Sequence, residues 1–249
     1  MSRRKSGATK RRRRGGGEQT RTPFHAALYQ LLSQLLKPHF EVQAEYLLYR
    51  EPQRIDILVV RRGGEGAAVA AGGEGAEVTA GGEGVEVTAG SDAEVGELPS
   101  LVSHLGDLTL IEFKGPTDVL SEEDVSKLLG YACQYSVTEG RPPEGLTLGL
   151  IGPSITERVI KRVEGLGGTL RRISEGVWEG GLGGSALFGL ETSSVWKQNE
   201  HERLWYVLSP GFLSGQVRPK ELTEGQLLVY LKMLSWMVKQ SEEERMSLT

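Results

Sequence analysis

The 249-residue chain has a single cysteine, Cys133, so no disulfide can form within it, and a reducing compartment is the expectation. No Cys or His group has the spacing of a zinc site, and His25, His39, His104 and His201 show no metal or triad spacing and read as solvent-facing or locally hydrogen-bonded. No apolar run approaches the ~20 residues that a membrane span needs. The basic start is not followed by the hydrophobic segment of a signal peptide. A soluble, cytoplasmic protein is the reading that fits. None of the glycine-rich segments ends in the Lys-Ser/Thr that grips a phosphate chain, so ATP hydrolysis has no support. No helix-turn-helix or zinc module is present to read bases.

Glycine and charge are distributed unevenly. The 34 glycines exceed what an evenly folded chain carries. The net charge of −4 divides into +8 on residues 1–14 and −12 on everything after them. Residues 1–22 are basic and lack apolar periodicity, as expected of a disordered arm. Such an arm suits nucleic acid phosphate, and equally a solvated tail or targeting signal. Residues 63–89 are three nonapeptides, GGEGAAVAA, GGEGAEVTA and GGEGVEVTA, with a degenerate fourth to about Leu98. A calcium-binding β-roll would need Asp where the second and third copies have Glu and the first has Ala. A flexible acidic insertion between core strands is the plainer reading, because loop-closure entropy grows slowly with length.

The periodic segments define a fold class. Phe24, Leu28, Leu31, Leu32, Leu35 and Leu36 recur at helical spacing, with Thr22 as N-cap, Pro23 at the first position and Pro38 as the stop. Phe40–Tyr49 and Arg54–Arg61 read as a strand pair joined around Pro52. Leu108–Lys114 is the strongest strand and Ser121 caps a helix to about Val137. Strand Leu146–Ile151, helix Ile155–Glu164 and strand Thr169–Ile173 follow. The alternation predicts an α/β sandwich with a central mixed sheet flanked by helices. The expected organisation is an arm at 1–22, a core at 23–175 interrupted by the insertion at 63–98, and an extension at 176–249. Within that extension, Trp205–Leu208 reads as a short strand and Thr223–Gln240 as an amphipathic helix suited to a partner or to a homodimer.

The chemistry lies in two strands. The two-residue period puts Leu108, Leu110, Glu112 and Lys114 on one face, so a carboxylate and an amine emerge side by side. Gly115, just beyond, would let a bulky ligand approach the backbone. Asp56 interrupts the apolar run Ile55, Ile57, Leu58, Val59, Val60, and a shared ligand would explain a charge there. Phosphodiester hydrolysis needs hard oxygen ligands for magnesium or manganese, an activated water and a nearby cation. Asp56 and Glu112 supply the ligands and Lys114 the cation. Glu45 on the first strand is a ligand only if it faces inward. Cys133 reads as a small buried hydrophobe.

RID at 54–56, IEFK at 111–114 and a helix containing KLLGYACQY at 127–135 together resemble the PD-(D/E)xK nuclease superfamily, in particular the bacterial subgroup of transposase-associated, recombination-promoting nucleases. The resemblance covers Phe24 to Ile173 without the insertion. It implies a restriction-endonuclease-like fold, Asp56 as the acid of the first motif, Glu112 and Lys114 as the ExK pair, and Gln134, with Tyr131, as polar residues of the following helix. It also implies Mg2+ or Mn2+ as cofactor and DNA as substrate. The chain departs from the family pattern in having no proline directly before Asp56, no glutamate on its first helix, and the repeat insertion between Asp56 and Glu112. Two functions stay open: a metal-dependent DNA nuclease, or a nuclease-fold interaction protein without activity, tethered to nucleic acid by its arm.

Overall fold

The computed structural model describes residues 23–37, 39–47, 54–62 and 98–213, with Thr223, Leu227, Leu231, Leu234 and Ser235. The expected arm at 1–22, the nonapeptides through residue 97 and most of the 223–240 helix lie outside the described residues; Leu227, Leu231, Leu234 and Ser235 are helical.

Helix α1 (Pro23–Leu35) opens the described chain, followed by strands β1 (Phe40–Leu47) and β2 (Arg54–Arg61). A short helix α2 (Pro99–Val102) precedes strand β3 (Leu108–Phe113), helix α3 (Glu122–Glu139) and strand β4 (Thr147–Gly152). Helix α4 (Glu157–Gly165) leads to strands β5 (Thr169–Ser174), β6 (Val177–Leu182) and β7 (Ser185–Glu191). The strands form one mixed sheet in the order β1-β2-β3-β4-β7-β6-β5. β3 and β7 run parallel to β4 on either side of it, and every other neighbouring pair is antiparallel. The predicted α/β layering with a mixed central sheet is therefore what the chain builds.

Apolar side chains on the two sheet faces make two cores. On one face Ile57, Val59, Ile111, Phe113 and Phe188 pack against α1, α2 and the segment 195–208. On the other, Leu58, Val60, Leu108, Leu110 and Leu148 pack against α3 and α4. The alternation along β2 and β3 is the two-residue period expected of strands covered on both sides.

The sheet runs past residue 175. β6 and β7 lie within the segment read as an extension, and β7 sits between β4 and β6. Strand propensity is poor in this glycine-rich stretch, but Gly183 and Gly184 both take positive φ (62° and 89°) and close a two-residue turn between the paired Leu182 and Ser185. That geometry matches the right-handed twist of the flanking strands.

The expected strand at Trp205–Leu208 is instead the end of a 3-10 helix, Glu200–Leu208, whose Asn199 side chain caps the N–H groups of His201 and Glu202. Trp205 is fully buried there. A four-residue apolar run is compatible with either state, and the cap selected the helical one. Glu202, also buried, accepts from the Ser100 N–H and ties this segment to α2.

Candidate functional site

The antiparallel register pairs Ile57 with Ile111, which brings the next residues along, Asp56 and Glu112, to the same end of the β2–β3 ladder. Asp56 Oδ2 accepts a hydrogen bond from the Phe113 N–H at 3.1 Å. Lys114 extends the β3–β4 pairing by one residue through its N–H to the Ile151 carbonyl at 2.8 Å. The Lys114 side chain therefore starts from a fixed backbone.

Glu112 is the centre of the cluster and is 1% exposed. A buried carboxylate requires partners, and it has two ammoniums. Lys114 Nζ donates to Oε1 at 3.0 Å, and Lys127 Nζ donates to Oε1 at 2.9 Å and to Oε2 at 3.0 Å. Lys114 also bonds Asp124 Oδ1 at 2.8 Å. Asp124 is the N3 residue of α3: its Oδ2 accepts from both the N–H and the hydroxyl of Ser121, and the Ser121 Oγ in turn accepts from the Asp124 N–H. This capping box fixes the first turn of the helix and delivers a carboxylate to Lys114 in the same stroke. Lys127 lies one turn further along α3, with its ammonium 5.3 Å from the centre of the Tyr131 ring. From the opposite face, His25 of α1 brings Nε2 to 3.8 Å from Asp56 Oδ2 and sets its ring edge-on to Phe113.

The electrostatics follow from burial and these contacts. Burial, and next the charge of Asp56, push the Glu112 carboxyl up to about 7 against the pull of Lys127 and Lys114. Burial works in the same direction on Asp56 but is outweighed by the His25 contact and the Lys127 charge, so its pKa falls below the usual carboxylate value. Burial would lower the Lys114 ammonium, but Glu112 and Asp124 outweigh it and hold its pKa above that of an ordinary lysine. Lys127 is raised for the same reason, with Glu112 and Asp56 as the opposing charges.

Asp56, Glu112 and Lys114, singled out in the sequence, thus meet at one end of two paired strands. The other assignments separate. Tyr131 is buried and carries Lys127 over its ring, whereas Gln134 is half-buried and, among the described residues, makes no hydrogen bond to the cluster. The Glu45 side chain lies outside the described residues. Cys133 is exposed on α3, not buried as expected, because the helix turns Ala132 and Tyr135 toward the core and this position outward. Gly115 does not open a path to a ligand: a Cβ there would stand 3.3 Å from both the Asp118 carboxylate and the Phe24 side chain, so α1 already fills that space.

His25, Asp124 and Lys127 are additions that sequence reasoning passed over. Lys127 and Tyr131 are four apart on one helix, a spacing that puts both on the same face, and Ser121 with Asp124 is a capping-box pattern. Both signals were present in the sequence. Among the described residues no group of three His, Cys, Asp or Glu side chains is disposed to hold a metal ion. No helix among them is long and apolar enough to cross a membrane. No protein-family model, no curated protein and no solved structure matches the chain.

Proposed function

We propose that the chain is a metal-dependent nuclease that hydrolyses DNA phosphodiester bonds. The observation that carries the reading is the meeting of Asp56, Glu112 and Lys114 at the end of β2 and β3, joined by the Phe113 N–H to Asp56 contact. Burial first, and then the charge of Asp56, push the Glu112 carboxyl up to about 7, and a divalent cation between the two carboxylates would offset both. The donors are hard oxygens, which suits magnesium or manganese. Bound by Asp56 and Glu112, such an ion supplies Lewis acidity to the phosphodiester and to an attacking water.

The chain's own residues do the rest. Lys114, anchored between Glu112 and Asp124, keeps a permanent positive charge where it can position the water or stabilise the developing oxyanion. The Asp56 carboxylate is held by the Phe113 N–H and stays ionised through its lowered pKa. Attraction to the duplex comes from the basic residues 1–22, which offset the acidic balance of the remainder. The restriction-endonuclease-like assignment of the sheet and the DNA substrate belong to this reading.

A second reading has its own observation. Lys127 spans both oxygens of Glu112 and closes the cluster as an ion-pair network. A nuclease-fold interaction protein without cleavage, tethered to nucleic acid by residues 1–22, is the function that follows if this network is permanent. The deciding experiment is cleavage of supercoiled and linear DNA in Mg2+ or Mn2+ by the parent protein beside folded Asp56→Ala and Lys114→Ala variants.

A further inference from the structure

The two lysines on Glu112 are held unequally. Lys114 Nζ has two carboxylate partners, Glu112 and Asp124, and its side chain is 20% exposed. Asp124 is itself immobilised by Ser121. Among the described residues Lys127 Nζ has one carboxylate partner, Glu112, and its side chain is 37% exposed. The two oxygens of Glu112 differ as well. Oε1 receives both ammoniums, whereas Oε2 receives Lys127 alone among the described residues. Withdrawing Lys127 would leave Glu112 paired through Oε1 and open only Oε2, so the buried charge would not be orphaned. Withdrawing Lys114 would break two ion pairs, one of them to Asp124.

We infer that Lys127 is an exchangeable counter-ion: its ammonium neutralises Glu112 in the ligand-free protein and, once a divalent cation takes Oε2, turns to bind a phosphate of the nucleic acid substrate. The inference rests on the proposed metal site. Lysine suits the task because its ammonium is a compact charge on a flexible stem, able to reach either partner. Phosphate suits the freed ammonium because the body of the chain is acidic, which makes each correctly placed cation count in binding DNA. The Tyr131 ring beside Lys127 supplies a second resting contact for the cation.

The test is DNA affinity with and without a divalent ion, read by fluorescence anisotropy of a labelled duplex for the parent, Lys127→Met and Lys127→Arg, in EDTA and in Ca2+. In EDTA, Lys127→Met binds as the parent does, because the lysine is tied to Glu112. In Ca2+ the parent tightens and Lys127→Met is weaker by about tenfold, the loss of one charge-assisted contact. Lys127→Arg retains most of the Ca2+ response and shows that the fold tolerates the position. Titration with Mn2+ alone gives an independent readout, in which Lys127→Met binds the ion more tightly than the parent because a competitor for Glu112 is gone. An equal effect of Lys127→Met in EDTA and Ca2+, no effect in either, no divalent-ion response of the parent, or no Mn2+ binding by Lys127→Met overturns the inference. An ion-dependent Lys127 effect in a protein that cuts no DNA overturns the nuclease reading and leaves this inference standing.

Discussion

Asp124 bonds Lys114 at 2.8 Å through one carboxylate oxygen while its other oxygen caps the helix that carries it. The relationship makes the first turn of α3 and the candidate site one mechanical unit. Asp124→Ala removes both functions and is expected to lower stability by about 2 kcal/mol, the sum of a lost cap and a lost partner for a partly buried ammonium. Ser121→Ala removes the hydroxyl cap alone, at about 1 kcal/mol. Urea denaturation of the two variants checks the ordering; equal losses would contradict it.

Glu112 gives the site a pH signature. Its folded pKa, pushed up to about 7, lies above the ordinary value of 4.5. Between those values the unfolded chain has released the proton that the folded chain keeps, so this group's contribution to stability falls as pH rises through the interval and levels off above it. Asp56 and Asp124, with lowered pKa values, act in the opposite sense and lose their contribution only as pH falls below the ordinary carboxylate range. Unfolding free energies of the parent and Glu112→Gln between pH 5 and pH 8, an interval of about the width a single titration needs, are expected to differ in slope. Parallel curves would contradict the assignment.

The β6–β7 turn offers a test of the fold independent of the site. Gly183 has φ of 62°, and a Cβ there would stand 2.5 Å from Leu129 Cδ1 of α3. Gly183→Ala is expected to cost about 1–2 kcal/mol, from the left-handed backbone and the contact together. An unchanged thermal midpoint would contradict the turn geometry.

Trp205 is fully buried in the core that also holds the apolar side chains of α1 and α2 on that face of the sheet. Trp205→Ala is expected to destabilise by about 3–5 kcal/mol. Trp205→Phe, which fills part of the space, is expected to cost less, measured in the same denaturation series. Equal stability of the parent and Trp205→Ala would remove the 3-10 segment from the core.

These residues also indicate what the sequence could and could not disclose. The pairing of β1 with β2, the strand LTLIEF and the helix after Ser121 were legible because their apolar periods are unbroken and their stops are Pro, Gly and a cap. The shared face of Glu112 and Lys114 was legible from strand alternation, whereas Asp56 was joined to them by the charge it puts into an apolar run and by the family resemblance. β6 and β7 were obscured by glycines that depress strand propensity, although the Gly183-Gly184 pair is a turn signal. The helical state of Trp205 was hidden because four apolar residues carry no period, and the exposure of Cys133 because one residue on a helix has no face of its own. Lys127 reads as a solvated charge until the helix is docked on the sheet, where its ammonium finds a carboxylate 15 positions earlier in the chain.

The most direct measurement is divalent-ion-dependent cutting of supercoiled and linear DNA by the purified protein, beside Asp56→Ala and Lys114→Ala variants whose folding is verified by circular dichroism. The account predicts cutting by the parent in Mg2+ or Mn2+ that chelation stops and that both substitutions abolish. No cutting in either ion at low and moderate salt, with DNA binding that disappears only when residues 1–22 are removed, would contradict it and leave a protein that binds DNA without cleaving it.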